Sequence, residues 1–289
     1  MKNILKPLLI ILLFGAYITA VYWLIRPYPT NTQATLFAGI SYTRRAIQNP
    51  RPTMIHIIEI DLTQEGIQFV GTTGDLSLNP EFEFAGQTTG SFLQEVDAQL
   101  AINGGFFFPF HAKTVWNYYP KAGEPVNVNG LSITDGTMYS PERDRYLALC
   151  INRDNVSITG ITCPTGTEHA IAGRPMLIRN GRITPRLQDG LAPRTSVALS
   201  EDGKTMWIVV VDGRQQGYSE GVTLAELAQL LHDLGAHTAL NLDGGGSSTL
   251  VMQENGRLKT LNAPFHTRIP MRQRPVANHL GIYALPIGN

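Results

Sequence analysis

The feature that most constrains the fold of this 289-residue chain is one segment, residues 205–250, in which a strand, a helix and a second strand follow one another. TMWIVVVD (205–212) and TALNLD (238–243) are continuous apolar runs of the kind that lie buried on both faces of a sheet. Between them, Thr223 and Glu226 form a capping box, and the leucines that follow fall on one helical face. This order predicts a βαβ unit whose two strands run parallel.

Both predicted strands end in an Asp-Gly pair, Asp212-Gly213 and Asp243-Gly244. Because ligands of open α/β sheets bind at the carboxyl ends of the strands, we expect the functional site at this edge. Neighbouring strands lie about 4.8 Å apart, so the two carboxylates would lie within roughly 5–10 Å, a separation suited to joint action on one substrate bond. An intervening strand would roughly double the gap and weaken that role.

The sequence DGGGSS (243–248) is the sharpest local signal. Three consecutive glycines raise the entropic cost of folding, which indicates that something requires them. They could serve close packing of backbones, or they could let backbone N–H groups approach an anionic ligand, with Ser247 and Ser248 as further donors. We favour the second interpretation. The motif is not a P-loop, because no Gly-Lys-Ser/Thr follows it.

Similar positions recur elsewhere in the chain. Asn103-Gly104-Gly105 repeats the order of strand, polar residue and glycine, although a tight turn alone would explain it. Four arginines stand beside Gly or Pro at predicted strand ends, and arginine binds phosphate in a bidentate manner. They are Arg174, Arg194, Arg214 and Arg274.

Composition excludes some functions and leaves others open. Lys+Arg and Asp+Glu number 23 each, which argues against nucleic acid as a partner. The histidines are scattered without a metal-binding motif, so we expect neither a metal nor a cofactor. Cys150 and Cys163 could form a disulfide or remain two buried thiols.

The N-terminus predicts a membrane anchor over residues 1–26. An uncharged run from Leu8 to Ile25 follows Lys2 and Lys6 and is just long enough to cross a bilayer of ~30 Å. A cleaved signal peptide is the alternative, but the run continues beyond Ala20. The charge bias predicts a single-pass protein of the inner membrane with its main domain on the periplasmic side.

The remaining pattern predicts a linker over 27–52 and one domain over 53–289. We expect an α/β (mixed α+β) fold, with a large mixed β-sheet flanked by helices and the βαβ unit carrying the Gly-rich loop. A short helix is predicted over 88–98 and an irregular loop over 109–125.

Seven segments together resemble the phosphodiester glycosidase family. The match covers about residues 54–285, and NLDGGGSS with an upstream DGR and PRT is its most specific part. The segments are INGGFF (102–107), AGRPMLIRNG (172–181), APRTSVAL (192–199), VVVDGR (209–214), the helix TLAELAQLLHDLGA, NLDGGGSSTLV (241–251) and RPVANHLGI (274–282).

The resemblance implies hydrolysis of the bond between a sugar anomeric carbon and a phosphate, in a cell-envelope or exopolysaccharide glycan. Asp243 and Asp212 carry over as motif residues, and we expect them to be catalytic. Our hypothesis is that Asp243 stabilises or attacks the anomeric centre and Asp212 handles the proton of water, while Arg174, Arg194 and Arg214 hold the phosphate. The substrate-binding positions that the resemblance implies are Asn103, Gly105, Arg174, Arg194, Thr195, Arg214, Asn241, Gly245, Ser247 and Ser248.

Two alternatives stay open at this point. One is a polysaccharide-binding accessory protein of biosynthesis without turnover, against which the intact Asp and Arg motifs argue. The other is a metal-dependent phosphodiesterase that cuts the P–O bond, for which Asp212 and Asp243 are a thin set of ligands.

Overall fold

The structure is a computed structural model that describes residues 13–15, 17, 21, 24–75, 81–153, 155–187 and 189–287. In that part of the chain the fold is mostly β-sheet, and helices account for 11%. The described helices include α1 (Thr89–Val96), α2 (Leu224–Asp233) and two short 3-10 helices, Gly245–Ser247 and His266–Arg268. The expected large sheet flanked by helices is therefore wrong, because the sheets pack mainly against one another.

The strands are numbered in chain order. They are β1 (Thr32–Phe37), β2 (Ile40–Ile47), β3 (Thr53–Asp61), β4 (Gln68–Gly71), β5 (Phe84–Ala85), β6 (Leu100–Asn103), β7 (Phe107–Phe108), β8 (His111–Ala112), β9 (Tyr118–Tyr119), β10 (Pro125–Val128), β11 (Ser132–Thr134), β12 (Thr137–Ser140), β13 (Leu147–Asn152), β14 (Asn155–Ile158), β15 (His169–Gly173), β16 (Met176–Arg179), β17 (Arg182–Ile183), β18 (Arg194–Leu199), β19 (Thr205–Val211), β20 (Thr238–Asn241), β21 (Leu250–Glu254), β22 (Arg257–Thr260) and β23 (His279–Tyr283).

The largest sheet has eight strands in the order β1-β2-β3-β19-β18-β20-β16-β17, and every neighbouring pair is antiparallel. β19 and β20 run in the same direction, as the sequence predicts. They are not neighbours, however, because β18 pairs with both. The carboxyl ends that carry Asp212 and Asp243 are thus one strand further apart than a simple βαβ unit would place them.

Two five-stranded antiparallel sheets complete the core, in the orders β22-β21-β6-β23-β4 and β12-β11-β15-β13-β14. The main hydrophobic cluster joins side chains of all three sheets, including Ile58, Ile102 and Leu149. Each of these is fully buried, which stabilises the fold by about 1.5–3 kcal/mol per side chain. The core therefore lies where the sheets meet.

Helix α2 covers the opposite face of the eight-stranded sheet. It contacts β16 and β17, and its Leu227, Ala228 and Leu231 share one hydrophobic cluster with Leu177 of β16 and Val209 of β19. The Thr223–Glu226 capping box is present as predicted, so the backbone N–H groups of both residues have hydrogen-bond partners at the N-terminus of the helix. This packing fixes the chain that connects the two Asp-bearing strands.

The expected linker over 27–52 is wrong for much of its length, because it contains β1 and β2. β2 pairs with β3 along eight residues, and Ile40 and Tyr42 enter the core. Alternate burial of these side chains gives the segment the period of a strand.

Most of the predicted anchor, Leu8–Ile25, lies outside the described residues. Among the residues that are described, no helix has the length and apolar character needed to cross a membrane.

Cys150 and Cys163 form a disulfide with a Cα–Cα distance of 5.7 Å. This decides between the two alternatives that the sequence leaves open. The bond joins β13 to the loop that follows β14.

Candidate active site

The DGGGSS loop folds back onto its own carboxylate. Asp243 follows β20, and Gly245–Ser247 form a single 3-10 turn. The backbone N–H of Gly244 donates to Oδ1 of Asp243 at 2.9 Å, and Oγ of Ser247 donates to Oδ2 at 2.6 Å. The loop therefore holds this carboxylate in one orientation.

Arg274 connects the loop to a buried histidine. Its Nη1 donates to Oγ of Ser247 at 3.0 Å and its Nε donates to Nδ1 of His266 at 3.3 Å. The guanidinium lies 4.2 Å from the ring centroid of Phe110. The sequence places Arg274 among four candidate phosphate-binding arginines but not among the site positions that the family resemblance implies, and no motif surrounds His266.

The glycines of the loop give room to two guanidinium groups. A Cβ on Gly245 would lie 3.0 Å from Nη1 of Arg214, and a Cβ on Gly246 would lie 2.5 Å from Nη2 of Arg274. At these distances an added Cβ would require the guanidinium groups to move. The structure thus places Arg214 against Gly245 and Arg274 against Gly246, on the turn that follows Asp243.

The electrostatics follow from this arrangement. Burial raises the pKa of Asp243, while Arg274, Ser247, Gly244 and Arg214 oppose the rise. Protein surrounds the carboxylate, although the residue keeps part of its surface open. Burial also lowers the pKa of Arg274 to about 10, which leaves it charged at neutral pH. Asp243 is therefore a carboxylate placed among cations.

Asn103 and Thr195 support the loop from the buried side through hydrogen bonds. Nδ2 of Asn103 donates to the carbonyl of Asp243 at 2.7 Å, and its Oδ1 accepts from Oγ1 of Thr195 at 2.8 Å and from N of Thr249 at 3.1 Å. Asn103 and Thr195 are fully buried. Gly105 packs against the backbone, since a Cβ there would lie 2.4 Å from the carbonyl oxygen of Ala172.

Asn241 and Ser248 are also buried beside the loop. Nδ2 of Asn241 donates to the carbonyl of Arg174 at 2.7 Å. Within the described part of the chain, Oδ1 of Asn241 and Oγ of Ser248 have no hydrogen-bond partner. The structure places both residues at the site, below its surface.

Asp212 lies in a closed network. Its Oδ2 lies 3.0 Å from Nε2 of His56, whose Nδ1 is 2.9 Å from the hydroxyl of Tyr42. Its Oδ1 accepts from Nδ2 of Asn262 at 3.0 Å and from N of Ala263 at 2.8 Å. The side chains of Asp212 and His56 are 0% exposed. The side chain of Asp212 is thus closed to solvent, whereas Asp243 is a partly exposed residue.

The predicted arginines differ in how exposed they are and in how far protein groups already occupy their guanidinium groups. Arg174 and Arg214 are exposed, and Arg174 lies 5.0 Å from the ring of Tyr146. Arg194 is engaged by Asp189 and by the carbonyls of Gly190 and Val222. Burial and Arg214 lower the pKa of Arg194 to about 10. These contacts leave Arg174 and Arg214 as the freer cations at this edge.

No group of three or more His, Cys, Asp or Glu side chains suited to a metal ion occurs among the described residues.

Together the fold and the site define a class of antiparallel β-sheet protein with an aspartate loop set between two arginines. Among solved structures with a similar fold is a hypothetical protein from Synechocystis, with 17% identity and a TM-score of 0.58 over 89% of this chain. This chain spans only 64% of that longer protein.

Two other structures share the fold. The catalytic domain of zebrafish N-acetylglucosamine-1-phosphodiester alpha-N-acetylglucosaminidase, auto-inhibited by its pro-peptide, is 20% identical with a TM-score of 0.61. The alignment covers 91% of this chain and 92% of that domain. A protein named as exported, from Burkholderia pseudomallei K96243, is 15% identical with a TM-score of 0.56, over 80% of this chain and 74% of that one.

A comparison with curated proteins finds no match. A scan against protein families matches the phosphodiester glycosidase family over residues 97–283. The chain therefore belongs to the phosphodiester glycosidase family, which confirms the resemblance that its motifs carry.

Proposed function

We propose that this protein is a hydrolase that cleaves the glycosyl–phosphate bond of a sugar phosphodiester. The observation that carries the proposal is the DGGGSS loop, where Asp243 stands with Arg214 against Gly245 and Arg274 against Gly246. A carboxylate suits the positive charge that develops at an anomeric carbon, and guanidinium groups suit a phosphate. Family membership supports the same reaction class.

In the proposed reaction the bond between the anomeric carbon and the phosphate oxygen breaks, and its electron pair leaves with the phosphate. Arg214 and Arg174, the exposed cations, bind that phosphate and stabilise it as the leaving group. Asp243 stabilises or attacks the anomeric carbon, and water adds its oxygen and one proton to the sugar while its other proton is released. Because the departing phosphate monoester leaves as an anion, strong acid assistance is unnecessary and one carboxylate can suffice.

The surroundings of Asp212 favour a positioning role over the handling of water. Both carboxylate oxygens are occupied, by His56 on one side and by Asn262 and Ala263 on the other. The side chain is closed to solvent, so a water molecule would have to displace one of these partners. We therefore propose that Asp212 fixes the turn that carries Arg214, and that Asp243 alone faces the substrate.

The natural substrate that we propose is a glycan of the cell envelope or an exopolysaccharide, met on the periplasmic side of the inner membrane. The Cys150–Cys163 disulfide supports a location outside the cytoplasm, because such bonds persist in oxidising compartments. The apolar run Leu8–Ile25 supports attachment to that membrane.

Turnover of a panel of glycosyl phosphodiesters tests the proposal. UDP-GlcNAc and the methylphosphate diester of GlcNAc are incubated with the protein, with and without chelator, and the products are identified. Free sugar is expected, with UDP from the first substrate and methyl phosphate from the second, unaffected by chelator. GlcNAc 1-phosphate with UMP or methanol, lost with chelator, would indicate the metal-dependent phosphodiesterase. Binding of glycans without turnover would indicate the accessory protein.

A further inference from the structure

Arg26 is buried at a point where the chain around it is exposed. We call residues 25–31 the stem. Arg26 is 4% exposed, whereas Ile25 and Tyr28 are 46% and 75% exposed. Burial of an arginine costs free energy unless neighbouring groups stabilise its positive charge and accept its hydrogen bonds. The surroundings of Arg26 therefore show what the stem binds.

The stem binds one turn of the domain, residues 212–219. Nη1 of Arg26 donates to Oε1 of Gln215 at 3.2 Å, and its guanidinium carbon lies 4.3 Å from the ring centroid of Tyr218. In the opposite direction, the hydroxyl of Tyr218 donates to the carbonyl of Pro27 at 2.9 Å. Stem and turn thus contact each other through Arg26 and Pro27 on one side and Gln215 and Tyr218 on the other.

The same turn carries the site. Gln215 donates through Nε2 to the carbonyl of Ala263 at 2.9 Å, and N of Ala263 donates to Oδ1 of Asp212 at 2.8 Å. Arg214 immediately precedes Gln215 and has a φ of 60°, a left-handed conformation that costs a non-glycine residue of order 1–3 kcal/mol. Its neighbours in the turn must therefore maintain that conformation.

We infer that Arg26 is a positioning residue, which holds the turn 212–219 so that Arg214 lies against Gly245 and can receive a phosphate. The inference rests on the proposed function for its kinetic consequences. A cleft of about 440 Å³ lies beside the stem, lined in part by Pro27, Tyr42 and Met271. Because of this cleft, the stem is attached to the domain by individual hydrogen bonds and ring contacts more than by close packing of side chains.

The kinetic test compares Arg26→Ala with Asn31→Ala in the full chain. Asn31 holds the same stem to β2, because its Oδ1 accepts from N of Ala46 at 2.8 Å. In Arg26→Ala we expect KM for the glycosyl phosphodiester, and the inhibition constant of inorganic phosphate, to rise about tenfold or more, and kcat to fall because Arg214 also stabilises the leaving group. Asn31→Ala is expected to change none of these constants, and Arg26→Lys to restore part of the loss.

Amide hydrogen exchange tests the stem without any need for turnover. In Arg26→Ala, peptides that cover residues 212–219 should exchange faster, while those of β13 keep their protection. Binding of inorganic phosphate, followed by phosphorus NMR, should weaken in parallel. If the unaltered protein turns over none of the diesters, the proposed function fails, and these two measurements still judge the role of Arg26.

Three results would overturn the inference. The first is Arg26→Ala with unchanged KM, phosphate binding and exchange. The second is a lower melting temperature and active fraction with the KM of the remaining enzyme unaltered, which would show a merely structural role. The third is a rise in kcat/KM on removal of the contact, which would make the stem inhibitory.

Discussion

At the residue scale, the account depends on two glycines that exclude side chains from the positions of two guanidinium groups. The sequence predicts that the glycines of 243–248 let backbone N–H groups approach an anion, but the N–H groups of Gly244 and Gly245 donate to Asp243 and Pro193. Gly244 packs against the backbone of Pro193, whereas Gly245 and Gly246 lie against Arg214 and Arg274. Arg274 lies 31 residues beyond Asp243 in the sequence, so only the fold brings it to Ser247. Local sequence cannot reveal such a contact.

Replacement of the loop carboxylate is the first prediction. Asp243→Asn keeps the shape of the side chain and removes its charge, so we expect kcat/KM to fall by on the order of 10²–10⁴. Asp202→Asn, at an exposed turn, is the matched control and should leave kcat/KM unchanged. Asp243→Asn with the activity of the unaltered protein would remove Asp243 from the mechanism.

The pKa of Asp243 gives a second prediction. Burial raises this pKa, and the carboxylate is ionised only above it. The kcat/KM of the enzyme should therefore fall as the pH falls, with a midpoint above the ordinary aspartate value of about 3.9. A pH–rate profile measures this. A profile that stays flat through this range would show that the ionised carboxylate is not required.

Gly246→Ala tests the space that Arg274 occupies. The added Cβ would lie 2.5 Å from Nη2 of Arg274, so the guanidinium must move away from Ser247. We expect kcat/KM to fall about tenfold or more while the protein stays folded. Gly160→Ala is the control, because its Cβ would meet nothing within 4 Å. Equal activity of both variants would count against a role for Arg274.

At the scale of elements, the sequence predicts strand and helix positions well but their neighbours poorly. β19, β20, α1 and α2 with its capping box appear where the pattern places them. The antiparallel β18 between β19 and β20 could not be predicted, because its pairing depends on contacts across the sheet. β1 and β2 were missed because their polar residues resemble those of a linker.

The disulfide of β13 gives a prediction at this scale. Cys150 and Cys163 close a short loop, and removal of such a bond costs about 3 kcal/mol of unfolding free energy. Cys150→Ala/Cys163→Ala should therefore unfold at lower urea concentration and keep its kcat/KM, because neither cysteine contacts the site. Reduction of the unaltered protein is the companion measurement. Equal stability of the two proteins would contradict the expected contribution.

At the scale of the whole molecule, three antiparallel sheets share one core, and this arrangement buries titratable groups. His279 lies at 0% exposure in β23, where burial lowers its pKa to about 3. Its Nδ1 is 2.9 Å from Oγ1 of Thr72, and its Nε2 is 3.1 Å from the carbonyl of Gln87. Such a residue was not predicted, since alternation alone does not distinguish a buried histidine from a half-exposed one.

The lowered pKa predicts how stability depends on pH. The unfolded chain protonates this histidine below about pH 6.5, whereas the folded protein keeps it neutral down to about pH 3. Its contribution is thus present above pH 6.5 and is lost at about 1.4 kcal/mol per pH unit as the pH falls. Urea unfolding of His279→Gln should show a shallower pH dependence, and the exposed control His232→Gln should not. Identical slopes for His279→Gln and the unaltered protein would contradict this.

The central claim is that the carbon–oxygen bond of a glycosyl phosphodiester breaks over Asp243. Hydrolysis of the methylphosphate diester of GlcNAc in oxygen-18 water, followed by phosphorus NMR and mass measurement of the sugar, tests it most directly. The account predicts label in the released sugar and none in the phosphate, with no turnover by Asp243→Asn. Label in the phosphate would show that the phosphorus–oxygen bond breaks, and it would contradict the account.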